Sequence, residues 1–128
     1  MKIAELKLSD WVYAKNPITC EDMPCKIEKI NDDKVLAGLI WCHFDELSPI
    51  PLTEEILEKN GWKEDDELWG IDYTFGQLHI EFFSNGKEIE AMVSVTDGRD
   101  VCCLRQIKHI HELQHLLWAL GIKDDLKI

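Results

Sequence analysis

The feature that most restricts this chain is a change of rhythm near residue 108. Upstream, apolar residues recur at every second position in short runs, as in Cys25-Lys26-Ile27-Glu28-Lys29-Ile30, "QLHIEFF" and "EIEAMVSV". That alternation belongs to strands with one face buried. From about Lys108 to Leu120 the spacing becomes three and four, as in a helix, and Gly121 is placed to stop it. A chain that spends most of its length in short strands and closes with a helix is expected to be α+β.

Turn chemistry divides the strand-rich part. Trp11 to Lys15 reads as a strand, and residues 25–30 turn through "NDD" into Val35 to Ile40, a hairpin within a small curled antiparallel sheet of SH3-like kind. Pro49 and Pro51 then break the strand pattern, because proline donates no ladder hydrogen bond. Thr53 is placed to cap a short helix through "EEILEKN", with Ile56 and Leu57 facing inward and Gly61 ending it. Beyond lie "LWGIDYTF" and "QLHIEFF", the Asn85-Gly86 hairpin signal, "EIEAMVSV", the turn Thr96-Asp97-Gly98-Arg99 and the strand "DVCCL". The expected order is a small N-terminal antiparallel sheet, a short helix, an antiparallel β-meander and a C-terminal helix packed on the sheet. With 128 residues and no repeat or low-complexity linker, one domain over 1–128 is expected, with an internal seam near 49–53.

Charge narrows the partners. The formal net charge is -11, and only Arg99 and Arg105 offer guanidinium groups, so nucleic acid is not an expected partner. Residues 1–68 hold 16 Asp/Glu against 8 Lys/Arg, and residues 69–128 hold 9 against 6. The run Glu64-Asp65-Asp66-Glu67 reads as a solvated loop; a surface for a basic partner, or a mimic of DNA, is the sharper alternative. No run approaches the roughly 18 apolar residues of a membrane span, and Glu5 interrupts the apolar run that a secretory signal requires. The expected location is the cytoplasm, away from membranes, where five cysteines (Cys20, Cys25, Cys42, Cys102, Cys103) stay as free thiols.

The most suggestive motif is His111-Glu112-Leu113-Gln114-His115, which fits H-E-x-x-H. Two histidines four apart on a helix can ligate one zinc ion, and the glutamate between them can deprotonate a bound water. The longer version of the pattern fails, since Trp118 and Gly121 occupy its glycine and third histidine. Asp124 and Asp125 are the only carboxylates downstream, and nothing in the spacing selects His79 or Glu81. At about 100° per residue, Ile110, Leu113, Leu116, Leu117 and Leu120 gather into a stripe, and docking through Ile110, Leu113, Leu117 and Leu120 is expected. His111 and His115 fall on the other side with Gln114 and Trp118, expected to face solvent or a partner. The favoured reading is ordinary helix-surface residues, without metal or cofactor; a small zinc-dependent hydrolase using His111, Glu112 and His115 is the alternative.

Two weaker constellations complete the inventory. Cys20 and Cys25 with Cys42 and His43 have donor types suited to zinc, but Cys42 and His43 on a strand point to opposite faces. Cys102 or Cys103 with His79 would make a nucleophile and base without any supporting local pattern. Among the five tryptophans most are expected in the core, and Trp118, with Gln114 and His111 beside it, is the candidate contact for a protein partner or a second copy.

The strings "IKHIHELQHLLWALG", "PIPLTEEILEKNGW" and "LKLSDWVYAKN" resemble a family of small uncharacterised bacterial and prophage-associated proteins. In that family a short β opening, a Pro-x-Pro-Leu-Thr-Glu-Glu turn into a helix and a C-terminal His-x-Leu-Gln helix recur around a variable middle. The resemblance covers the two ends and residues 49–62. It matches His111, Leu113 and Gln114 to the family's His-x-Leu-Gln and leaves Glu112 and His115 at variable positions, which implies that the motif is structural. The function expected is a non-enzymatic protein-interaction module of phage or mobile-element origin.

Overall fold

The structure, a computed structural model, describes residues 5–65, 71–84, 89–96, 100–122 and 126–128. It is α+β, with two antiparallel five-stranded sheets and two helices. The chain gathers into two compact units. One holds the chain up to Pro51 and the segment that opens at His109; the other holds Leu52–Lys108 and a short piece of the C-terminal tail.

In the first unit, β1 (Trp11–Lys15), β2 (Asp22–Ile30), β3 (Lys34–Ala37), β4 (Ile40–His43) and β5 (Leu47–Pro49) are arranged in the order β4-β3-β2-β1-β5. A short 3-10 turn, Phe44–Glu46, joins β4 to β5. β2 serves both halves, with a register shift between Ile27 and Lys29 that lets it bend from β1 toward β3. Alternation sends Val12, Ala14, Ile27, Val35, Ala37, Cys42 and Leu47 into one core. The hairpin of β2 and β3 turns at residues 31–33 as expected, but its second strand ends at Ala37 rather than Ile40. Gly38, at φ +64, turns the chain, and the expected single strand 35–40 becomes the end of β3 and the start of β4. Pro49 also departs from expectation: it lies within β5, opposite Val12, which is permitted because β5 is an edge strand.

Helix α2 (Ile110–Ala119) belongs to this same unit and packs against β1. Its start is pinned by an isolated bridge between Pro51 and His109 and by the Ile110 N–H donating to the Ile50 carbonyl at 2.9 Å.

In the second unit, helix α1 (Glu54–Lys59) precedes β6 (Lys63–Asp65), β7 (Ile71–Phe75), β8 (Leu78–Ser84), β9 (Ile89–Thr96) and β10 (Val101–Ile107), a meander in the order β10-β9-β8-β7-β6. Thr53 Oγ1 accepts from the Ile56 N–H at 3.3 Å, as the cap requires, and Leu57 is buried. At the other end, Gly61 takes φ +84. The Asn60 amide exchanges two hydrogen bonds with the Lys127 backbone, 2.8 and 2.7 Å, which ties the C-terminal tail to α1. Tyr73, Ile80, Ala91 and Val93 form the buried face. Trp62 tilts against Phe75 at 5.4 Å, and the Tyr73 hydroxyl donates to Glu58 at 2.9 Å. Part of the acidic run is a strand rather than a loop: Glu64 and Asp65 pair with Tyr73 and Asp72 in β6, while Asp66 and Glu67 lie outside the described residues. The turns at Asn85-Gly86 and Asp97-Gly98-Arg99 also lie outside them.

A histidine and carboxylate cluster between helix α2 and the first strand

The turn that leads into β1 is unusual before any helix reaches it. Ser9 takes φ +70, a conformation costly for a residue with a Cβ, and donates its N–H to the Ile27 carbonyl at 2.7 Å. Asp10, wholly buried, folds its carboxylate back so that Oδ2 accepts from the Lys7 N–H at 2.8 Å. A carboxyl group buried in this position requires a further hydrogen-bond partner.

That partner comes from α2. His115 Nε2 lies 2.8 Å from both carboxylate oxygens of Asp10. One residue earlier, Gln114 uses both ends of its amide: Nε2 donates to the Ser9 carbonyl at 3.0 Å, and Oε1 accepts from the Trp11 N–H at 2.9 Å. The side chain satisfies backbone groups on either side of Asp10 as a neighbouring strand would. Glu112 turns away from this contact and back along the helix, where Oε1 accepts from the His109 N–H at 3.2 Å and meets His109 Nδ1 at 2.9 Å.

Three imidazoles therefore stand in a row. His109 stacks on His111 with centroids 5.6 Å apart and planes 8° from parallel, and His111 meets His115 edge to face at 5.6 Å. Trp118 follows His115 at 5.8 Å. His111, in the middle, is 5 % exposed, and its Nδ1 has no hydrogen-bond partner. Burial lowers its affinity for a proton below the ordinary 6.5; Asp10 and Glu112 pull the other way, and His109 and His115 reinforce the lowering.

These positions correct the expected orientation of α2. Ile110, Leu113 and Leu117 are buried as the apolar stripe requires, but Leu120 is 43 % exposed, and Gln114 and His111 are buried in its place. The buried arc is rotated toward the polar side because Gln114 and His115 carry the hydrogen bonds that the Ser9–Trp11 backbone and Asp10 demand. Trp118 is half-buried at the margin. The core is also poorer in tryptophan than the sequence suggests: Trp62 is buried, Trp41 is 46 % exposed, and Trp69 lies outside the described residues.

The same geometry bears on zinc chemistry. A metalloprotease helix needs both imidazoles aimed at one ion and its glutamate beside the bound water. Here His115 is held by Asp10 and Glu112 by His109. Among the described residues no group of three or more His, Cys, Asp or Glu is arranged to hold a metal ion. His115 Nε2, the atom that would take a proton from a nucleophile, is turned onto the Asp10 carboxylate, and its ring neighbours are His111 and Trp118.

The other constellations are dispersed. Cys42 is buried and donates Sγ to the Val35 carbonyl at 3.7 Å, Cys25 is half-buried, and burial raises both thiols above the ordinary 9.0. Cys20 is exposed on the left-handed turn before β2, and His43 Nδ1 accepts from the Asp45 N–H to cap the 3-10 turn. In the second sheet, register places His79, Ser94 and Cys103 in one cross-strand row. At about 4.8 Å per strand, His79 and Cys103 stand roughly 10 Å apart, too far for a thiol and its base. Asp10 and its turn escaped the sequence reading. Their one local signal is a short polar pair, Ser9-Asp10, set between apolar residues. No helix among the described residues is long and apolar enough to cross a membrane. No family model, curated protein or solved structure matches this chain.

Proposed function

We propose that this chain is a non-enzymatic protein-interaction module, of phage or mobile-element origin, that binds a protein partner or a second copy of itself through strand β10. The observation that carries the reading is the exposure of β10. It is a terminal strand of its sheet, and every residue from Val101 to Gln106 is exposed, including Val101 at 68 % and the adjacent thiols Cys102 and Cys103. A terminal strand that among the described strands pairs with one neighbour and carries apolar side chains on both faces is a template for strand addition. The residues 101–111 contain no carboxylate in a chain of net charge -11, so an incoming strand meets little of the repulsion that the acidic sequence imposes elsewhere. The polar groups of α2 support the same reading in a negative way, because the motif that suggested hydrolysis is engaged in holding the fold.

The test is the double variant V101K/L104K, which places charge on the edge without touching the core. With thermal unfolding unchanged, it loses at least about tenfold in affinity for a captured partner or in self-association by sedimentation velocity, a difference of about 1.4 kcal/mol. Association at wild-type strength overturns the assignment to β10. A wild-type chain that stays monomeric and captures no protein overturns the module itself.

A further inference from the structure

We propose that the histidine row of α2 is a proton-operated latch, in which protonation of His111 undocks the helix from β1. The inference does not depend on β10; it rests on how the cluster distributes its carboxylates. His115 has Asp10 at 2.8 Å and His109 has Glu112 at 2.9 Å, so each outer ring has a carboxylate against one of its nitrogens. His111 lies between them without a carboxylate of its own. In the neutral ring Nδ1 can remain a bare acceptor, a modest cost. In the protonated ring Nδ1 becomes a donor, buried, with no acceptor, flanked by two other imidazoles.

The groups that face His111 are His109, Glu112 and His115 from its own helix and Asp10 from the turn before β1. Burial lowers its proton affinity in the docked state from the ordinary 6.5. A group whose folded affinity is lowered binds its proton in the open chain first. The docked state is therefore fully favoured above pH 6.5 and loses ground as the pH falls below that value. Release exposes the apolar side chains of Ile110, Leu113 and Leu117, and frees the Ser9 carbonyl and the Trp11 N–H from Gln114. An acidic compartment or a local drop in pH would thereby present an amphipathic helix that neutral solution conceals.

The experiment is amide hydrogen exchange by NMR on the full chain between about pH 7.5 and about pH 5, corrected for intrinsic rates, with His111 protonation followed from its own ring resonance. The opening constant at Leu113, Gln114 and Leu117 is expected to rise by up to about tenfold per pH unit below 6.5, while Ile80 and Val93 in the second unit hold steady. His111→Phe keeps the ring and removes the proton site, and abolishes that rise; His111→Gln does the same with a polar side chain should the Phe variant fold poorly. If the rise persists in either variant, other groups carry it and the latch is wrong. It is equally wrong if the wild-type His111 ring takes its proton while exchange in α2 stays flat.

Discussion

The two helices solve the same problem in opposite ways. Helix α1, six residues long, satisfies its start with a side chain three positions away: Thr53 caps the Ile56 N–H. Helix α2, ten residues long, reaches more than a hundred positions back, where Gln114 and His115 complete Ser9, Asp10 and Trp11. The first is held by sequence neighbours and one buried leucine, Leu57; the second buries Ile110, Leu113 and Leu117 together with two polar side chains, His111 and Gln114. Local capping needs only the right residue in the right place. Remote polar docking needs the whole first unit to be formed, and it fixes which face of the helix turns inward.

The sharpest way to break this contrast is Asp10→Ala. Removing the carboxylate leaves His115 Nε2 without its partner, and a hydrogen bond to a carboxylate contributes about 1.5–3 kcal/mol. The variant also gives up the Oδ2 contact to the Lys7 N–H. The expected loss appears in urea unfolding as a lower midpoint at unchanged slope. A change under about 1 kcal/mol would mean that the apolar stripe alone docks α2.

A smaller effect follows from Gln114→Ala, which leaves the Ser9 carbonyl and the Trp11 N–H without partners while keeping Asp10 and His115 paired. Two neutral hydrogen bonds at a partly buried site contribute about 2 kcal/mol together. Because Gln114 and His115 adjoin, the double variant with Asp10→Ala is expected to cost less than the two single losses summed. Strict additivity would show that the two contacts act separately.

What the sequence could show follows this same division between near and far. The periods of two and 3.6, the Thr53 cap and the glycine stops at Gly61 and Gly121 are written within a few residues of where they act, and the elements they imply are present. The burial of Gln114 and His111 was not legible, because hydrophobic periodicity weighs side chains by polarity and both are polar. Only the turn at Ser9, with its positive φ and its buried aspartate, creates the demand that draws them in. The strand β6 within an acidic run was hidden for a related reason: its backbone pairing with β7 outweighs a composition that favours a loop.

The smallest and most discriminating prediction belongs to α1. Thr53→Ala removes a cap bond of 3.3 Å on an exposed, six-residue helix, and caps of this kind contribute about 1 kcal/mol. Gly or Asp at this position should restore most of the loss, since both are tolerated at a helix start; no simple replacement is expected to restore Gln114, whose amide donates and accepts at once. Unfolding measured on Thr53→Ala, Thr53→Asp and Gln114→Glu tests this directly. Glutamate keeps the acceptor for the Trp11 N–H but gives the Ser9 carbonyl a second acceptor in place of a donor. Full stability in Gln114→Glu would put the docking of α2 in the same local, forgiving class as the cap of α1, and the contrast between the helices would reduce to their lengths.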